Sequence, residues 1–537
     1  MRYPLTIPSI LRRAARVYPE KQIVSRMHDG SLHRYTYAEF YRRVVRLMGA
    51  LRAAGIRPGD RVATMAWNHY RHLELYFAVP SIGAVLHTVN IRLPAEQVQY
   101  ILGHAGSRWV FTDRALAAAA TFHPEQVGSV ERWVVMDDLS SADPATIGAI
   151  EDYEALLANG PDGERWEELD EDQAAGLCYT SGTTGDPRGV LYSHRSLYLH
   201  AMGLCMVDSL AVSERETVLP VVPMFHVNAW GLPYACAMTG AAQVFPGPHM
   251  VGHMLADLIE RERVTLAAGV PSVWTALHHY LQHHPHDLSS LRAMVVGGSA
   301  APAALIEAWD RDHGVPIVHA WGMTEVSPVG SVCRLKSAME SLPDGEKRAL
   351  RMRQGLPIPG IEAALLGDDG RELPWDDRHT GELAVRGPWV ARCYFGREGE
   401  PDPAFTDDGW FRTGDVARIS AEGYIEITDR SKDVIKCRGE WISSVLMENT
   451  AMGHPGVLEA AVVGRIHATK GEAPVLFAVR RPDAAPCVTA ADLHGFLTQH
   501  FQRWQTPRVA DIHFVDAIPK TGVGKFDKKV LRARLSG

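Results

Sequence analysis

A chain of 537 residues exceeds what one hydrophobic core usually organises, so at least two domains with a large buried interior are expected. Hydrophobic residues at 46% and charged residues at 22% are ordinary globular values, which argue against a disordered or fibrous protein. A formal net charge of -8 provides no general affinity for nucleic acid, so phosphate binding has to be local, built from loops and a few placed cations.

The first residues carry only a short apolar run before Arg12 and Arg13, too short for a signal-peptide core, and no later stretch approaches a transmembrane length without charge. The seven cysteines (Cys178, Cys205, Cys236, Cys333, Cys393, Cys437, Cys487) are scattered, odd in number and never in a CxxC pair. They read as reduced thiols, and the expectation is a soluble, untargeted, cytoplasmic protein.

Thr36 followed by Glu39 is a capping box, after which Phe40, Val44, Leu47 and Leu51 recur at helical spacing until Gly55. RVATMAW (Arg61 to Trp67) then predicts a strand, HYRHLELYFAVPSIGA a helix and VLHTVN (Val85 to Asn90) a strand. The alternation continues through SRWVFTD, ERWVVMDD, ETVLPVVPMF, VTLAAGVP and LRAMVVGGSAAP, without internal repeats. The fold class expected is α/β, a parallel sheet system covered by helices.

Within this series AAGLC (Ala174 to Cys178) predicts a buried strand, and YTSGTTGDPRG (Tyr179 to Gly189) follows it with Gly182 and Gly185 among Thr180, Ser181, Thr183 and Thr184, then Arg188 and Gly189. Glycines let backbone N–H groups turn toward anionic oxygens, hydroxyls add donors and a guanidinium takes two oxygens at once, a composition suited to polyphosphate. An ordinary Gly/Thr-rich surface turn is the plain alternative. The nucleoside-triphosphatase string GxxxxGK[ST] is absent.

GGSAAP (Gly297 to Pro302) is a strand-to-helix turn whose N–H groups suit a base or a phosphate. HAWGMTE (His319 to Glu325) offers an aromatic face at Trp321, with a hydroxyl and a carboxylate at Thr324 and Glu325. A carboxylate beside polyphosphate helps hold magnesium, an ion that prefers hard oxygen ligands. From about residue 355 the pattern turns to glycine, proline and short alternating runs, predicting a small β-subdomain. FRTGD ends on Asp415, suited to two ribose hydroxyls or equally a plain hairpin residue. DRSKD (Asp429 to Asp433) reads as a charged, unpacked linker, and the remainder as a small α+β domain with a helix capped by Thr489. Its last cluster, PKTGVGKFDKK (Pro519 to Lys529), presents Lys525 on a glycine-rich loop, or is simply a basic tail.

In this order the clusters make the chain resemble the adenylate-forming superfamily of acyl-CoA synthetases, luciferases and nonribosomal-peptide adenylation domains, from about Thr36 to Lys528. KDVIKCRGEWISS and VVPMFHVNAW look most like the fatty acyl-CoA synthetase branch. The resemblance implies a large N-terminal domain (1–428), a hinge (429–433) and a mobile C-terminal lid (434–537). It implies ATP-dependent coupling of a carboxylic acid to coenzyme A through an acyl-adenylate, with magnesium.

Motif by motif, Thr180, Ser181, Gly182, Thr183, Thr184 and Arg188 would hold the β- and γ-phosphates, with Thr180 and Glu325 nearest magnesium. Gly298, Ser299, Ala300, His319, Ala320, Trp321, Gly322 and Thr324 would frame the nucleotide, and Asp415 and Arg430 the ribose. Lys525 would stabilise charge developing during adenylation. The lid would pivot at Lys432, withdraw Lys525 and bring Lys436, Gly439, Glu440 and Trp441 to the site. His226 matches a histidine at the carboxylate-binding end. With Trp230 placed one helical turn on from His226, both can face an acyl pocket shared with Val227 and Met323; Trp230 either gates that pocket or packs.

Arg188 stands where lysine is usual; both are cations, so phosphate binding is expected with altered geometry. Arg438 stands where this branch usually has glycine, beside the expected CoA tunnel, where a long cation either blocks pantetheine or meets the CoA phosphates, so it bears on the thioester half-reaction rather than on adenylation. His279 and His283, among His278, His284 and His286, have a metal-like spacing but lie at a polar helix end outside any family motif. The substrate expected is a medium- or long-chain fatty acid. The alternatives are a short or substituted acid such as a methylthio-alkanoate, and a relative that binds acyl-adenylate without making thioester. Homodimerisation is implied by the family alone.

Overall fold

The computed structural model describes residues 3–119, 127–136, 150–161, 163–180, 186–437, 440–467, 471–481, 488–521 and 526–536. Ser181, Gly182, Thr183, Thr184, Arg438, Gly439 and Lys525 lie outside them, and Glu440 and Trp441 are described only as backbone of the strand Glu440–Ile442.

Short apolar runs between helical patterns form two large sheets. The seven-stranded sheet is parallel through Arg61–Met65, Val85–Thr88, Ser107–Thr112, Arg132–Val135 and Ala174–Tyr179, then turns antiparallel at Gly189–Ser193. The nine-stranded sheet has a parallel centre of Ala242–Phe245, Thr217–Pro220, Leu266–Gly269, Ala293–Val296 and Ile317–Gly322. One continuous core joins both sheets to the helices Tyr37–Ala53 and Tyr70–Ser81. The first of these carries the predicted Thr36–Glu39 capping box, and every residue of the second is buried. Parallel strands covered on both faces explain why these segments read as continuous rather than alternating apolar runs.

The β-subdomain is a four-stranded antiparallel sheet, Glu362–Leu366, Gly381–Arg386, Phe411–Ile419 and Ile425–Arg430. A separate core, with strands Val457–His467 and Gly471–Arg480 and helices Ser444–Met452 and Ala490–Leu497, forms the C-terminal part. Among the described residues no helix is long and apolar enough to cross a membrane.

Two local expectations are corrected. His226 and Trp230 are not a right-handed helical turn apart: Val227, Asn228, Ala229 and Trp230 have φ of 41°, 51°, 47° and 57°, and Gly231 follows at 75°. This left-handed run costs on the order of 1–2 kcal/mol per non-glycine residue. Burial of Val227, Ala229 and Trp230 offsets it, as do the bonds that Ala229 N–H donates to Pro223 O and His226 O. Trp230 lies against Gly297, where an added Cβ would come within 2.8 Å of the indole and 3.1 Å of the Ala320 carbonyl. The second correction concerns DRSKD. Asp429 is 1% exposed and belongs, with Arg430, to the strand Ile425–Arg430, so that segment is packed at its start and exposed only at Ser431 and Lys432.

Two outcomes follow from this packing. Burial pushes His72, His87 and His200 from the ordinary 6.5 down to about 3. The unfolded chain therefore takes up protons below pH 6.5 that the folded one refuses, and stability present at neutral pH falls with acidification, by about 1.4 kcal/mol per histidine per pH unit. Denaturant midpoints at pH 7 and pH 5 check this, and a level profile would contradict it. Gly297→Ala should lower stability by about 1–3 kcal/mol, because the methyl forces Trp230 and the Ala320 carbonyl apart. An unchanged unfolding midpoint would show that the indole has room to move.

Candidate active site

The candidate residues sit at the carboxyl ends of strands, where an open α/β sheet leaves a crevice. The glycine-rich loop follows Tyr179, GGSAAP follows Val296, and HAWGMTE closes the strand Ile317–Gly322.

Gly298, Ser299, Ala300, His319, Ala320, Trp321, Gly322, Asp415 and Arg430 line one cavity of about 1030 Å³. Gly298 takes φ +81°, a left-handed turn that glycine adopts without strain. Asp415, 2% exposed, anchors the group: its Oδ2 accepts from Trp321 Nε1–H at 2.8 Å and its Oδ1 forms an ion pair with Arg430, 2.6 Å from Nε. A carboxylate has about four acceptor positions. Two are filled by these donors, leaving capacity for donors entering the cavity. His319 is buried, its Nδ1–H donating to the Met352 carbonyl at 3.0 Å, and burial pushes it down to about 4, so the ring is neutral.

A second group forms around Thr180, whose Oγ1 accepts from Arg188 N–H at 3.2 Å while Thr180 N–H donates to the Arg188 carbonyl at 2.9 Å. The Arg188 guanidinium lies 4.9 Å over the Tyr394 ring and 3.7 Å from Asp402. Tyr394 in turn donates to Glu325 Oε1 at 2.9 Å, and both are buried. Thr324 is tied down through its carbonyl by Tyr192 O–H at 2.7 Å. Tyr394 escaped the sequence reading because ARCYFG matches no motif; only its place beside the glycine-rich loop, set by the bond from Phe395 N–H to the Gly189 carbonyl, identifies it.

His226, Val227, Trp230 and Met323 do not line the large cavity. Of these, Trp230 packs against Gly297, the residue before Gly298 of the cavity, and Met323 follows Gly322 in the chain. The opposite wall of the cavity comes from the C-terminal part: Glu448, Lys520, Phe526 and Lys528. Lys520 and Phe526 are paired by an isolated β-bridge, so the two ends of the loop carrying Lys525 are held at this wall. Lys432 and Lys436 are exposed and line no part of it; Lys436 N–H donates to Glu472 Oε2 at 2.8 Å. Of the histidine group, His278 meets His313, His279 meets Arg481, His284 stacks on Tyr280 and His286 pairs with Glu260. Among the described residues no three His, Cys, Asp or Glu side chains converge as metal ligands.

Comparison with known proteins agrees with this layout. Residues 11–395 match the AMP-binding enzyme family and residues 446–525 the AMP-binding enzyme C-terminal domain. The chain is 46% identical over 530 residues to a long-chain-fatty-acid–CoA ligase of Thermus thermophilus, covering 98% of this chain and 95% of that protein. It is 44% identical over 533 residues to a 3-methylmercaptopropionyl-CoA ligase of Ruegeria pomeroyi, covering 99% and 97%. The crystal structure of the anthranilate CoA ligase AuaEII in complex with anthranoyl-AMP superposes with a TM-score of 0.86 at 24% identity, covering 100% and 99%, a likeness of fold. The chain belongs to the AMP-binding enzyme family and, within it, to the AMP-forming acyl-CoA synthetases.

Proposed function

We propose that this enzyme couples a medium- or long-chain fatty acid to coenzyme A, adenylating the acid in the cavity between its N-terminal and C-terminal parts. The observation that carries this is the buried Asp415, with Trp321 and Arg430 fixed on one side of its carboxylate and acceptor capacity left on the other.

A carboxylate is a poor acyl donor because its oxygen leaves badly. Attack of the acid on the α-phosphorus of ATP makes a mixed anhydride and releases pyrophosphate, and AMP then leaves readily when a thiol arrives. Asp415 accepts the ribose hydroxyls. The turn Gly298 to Ala300 and the Trp321 ring frame the base, with His319 as a neutral wall. Thr180, Ser181, Gly182, Thr183, Thr184 and Arg188 hold the departing phosphates. Arg188 works from a seat on Tyr394, where a planar cation stacks in a way a lysine would not. Lys525 stabilises charge developing at the α-phosphate and acyl oxygens, an effect of about 2.7–4 kcal/mol for one oxyanion donor.

Glu325 and the Thr180 hydroxyl are hard oxygen donors, too few for a protein-only site but suited to magnesium that takes its remaining ligands from phosphate. Bound there, the ion would neutralise charge on the leaving pyrophosphate. The acid is received near His226, Val227, Trp230 and Met323, with the left-handed run setting the aim of Trp230. The lid then pivots at Lys432, and Lys436, Gly439, Glu440 and Trp441 form the thiol entrance. A second reading of the substrate, a methylthio-alkanoate, is favoured by the Ruegeria relative at almost the same identity.

Acid-dependent pyrophosphate release followed by CoA-dependent AMP release, run over acids of graded chain length and 3-methylthiopropionate, tests the proposal. AMP release that ignores CoA would sink thioester formation, and a maximum at 3-methylthiopropionate would replace the fatty acid. Lys525→Ala should remove adenylation while sparing thioester formation from supplied acyl-AMP. Equal loss of both halves refutes the assignment of that lysine.

A further inference from the structure

A buried polar relay joins the nucleotide cavity to the end of the chain. Lys528, the first residue of the helix Lys528–Ser536, places Nζ 2.7 Å from Glu448 Oε1 and donates to Ser444 Oγ at 2.5 Å. Glu448 also accepts from Val462 N–H at 2.8 Å. Ser444 continues the relay to Asp429: its N–H donates to Oδ2 at 2.5 Å and its hydroxyl to Oδ1 at 3.0 Å. Ser443 Oγ donates to the Thr428 carbonyl alongside. Asp429 precedes Arg430, which holds Asp415, and lies opposite Val416 in the strand register. Lys528 is three residues beyond Lys525 and shares the cavity wall with Phe526.

From these contacts we infer that Asp429, Ser444, Lys528 and Glu448 form a clasp across the hinge, in which Lys528 is a positioning residue that seats the Lys525 loop for adenylation and which opens when the lid turns. This rests on the proposed pivot at Lys432. Ser444, Glu448 and Lys528 all follow Lys432 in the chain, so rotation there carries them together and keeps the Lys528–Glu448 pair. Asp429 stays with the strand Ile425–Arg430, so rotation breaks its bonds to Ser444 and its proximity to Lys528, together with the neighbouring bond from Ser443 to the Thr428 carbonyl.

The energetics suit a reversible closure. Burial pushes the Asp429 carboxyl up, a desolvation cost countered by the charge of Lys528 and the bonds from Ser444. Opening returns the carboxylate to water and recovers that cost, so the closed and open arrangements differ by less than the sum of the contacts. The C-terminal core keeps its own buried pair in either arrangement. At the pivot, Arg532 of the same helix pairs with Asp433 at 2.6 Å and donates to the Lys432 carbonyl at 3.2 Å, so the helix registers the hinge directly.

The full-length Asp429→Ala variant tests the clasp, because it removes the N-terminal partner and leaves the Lys528–Glu448 pair intact. Acid-dependent exchange of pyrophosphate into ATP should fall about tenfold or more, the scale of losing charge-assisted hydrogen bonds. Thioester formation from supplied acyl-AMP and CoA should be retained or faster. Asp429→Asn, which keeps acceptor geometry on one side, should recover part of the exchange rate. An equal fall in both half-reactions, or unaltered exchange, overturns the clasp. Lys525→Ala run in parallel separates the two ideas: if that variant still exchanges pyrophosphate, the lysine and pivot reading fails, whatever Asp429→Ala does.

Discussion

The carboxylate of Asp415 is the constraint on which the site depends. A buried carboxylate is tolerated only when donors replace its water, and the two that do so come from different layers: Trp321 from the end of the nine-stranded sheet and Arg430 from the neighbouring strand of the β-subdomain. Satisfying one charge therefore docks the subdomain on the sheet, fixes the plane of the indole and leaves oxygen acceptors aimed at a cavity. Arg430 is flanked by Asp429, so the same strand end also meets the C-terminal part. Trp321, Asp415 and the strand end Asp429–Arg430 are thus three consecutive links.

The base of the glycine-rich loop is organised by a different device. Thr180 and Arg188 close the base of the glycine-rich loop through reciprocal backbone and hydroxyl bonds, and the Arg188 guanidinium then lies over the Tyr394 ring. Tyr394 also holds Glu325, so the cation expected at phosphate and the carboxylate expected at magnesium are oriented by one ring. That arrangement gives the arginine at this position a physical basis. A guanidinium can stack on the phenol while keeping its edge donors free, whereas an ammonium would present a point charge.

Much of the fold was legible from local pattern. The Thr36–Glu39 capping box, the helix cap at Thr489, the apolar strands of the two sheets and the change to antiparallel structure after about residue 355 all follow from spacing and composition. The left-handed run from Val227 was not legible. Its valine, alanine and tryptophan have no intrinsic preference for that conformation, and burial, the bonds from Ala229 N–H and the Gly297 contact hold them there. Asp429 was likewise misread as solvated, because a charged string looks like a linker until its partners arrive from Ser444 and Lys528, which lie 15 and 99 positions further along the chain.

By itself the sequence determined the fold class and the family, and singled out strings suited to nucleotide, phosphate and thiol chemistry, since hydrophobic period, turn chemistry and motif order are properties of neighbouring residues. Tertiary structure alone decided that Asp415 joins Trp321 and Arg430, that Tyr394 sets Arg188 and Glu325, and that Lys528 meets Glu448 and Ser444. Each of these needs charges brought together from distant segments and removed from water, and no local pattern records how a desolvated charge will be satisfied.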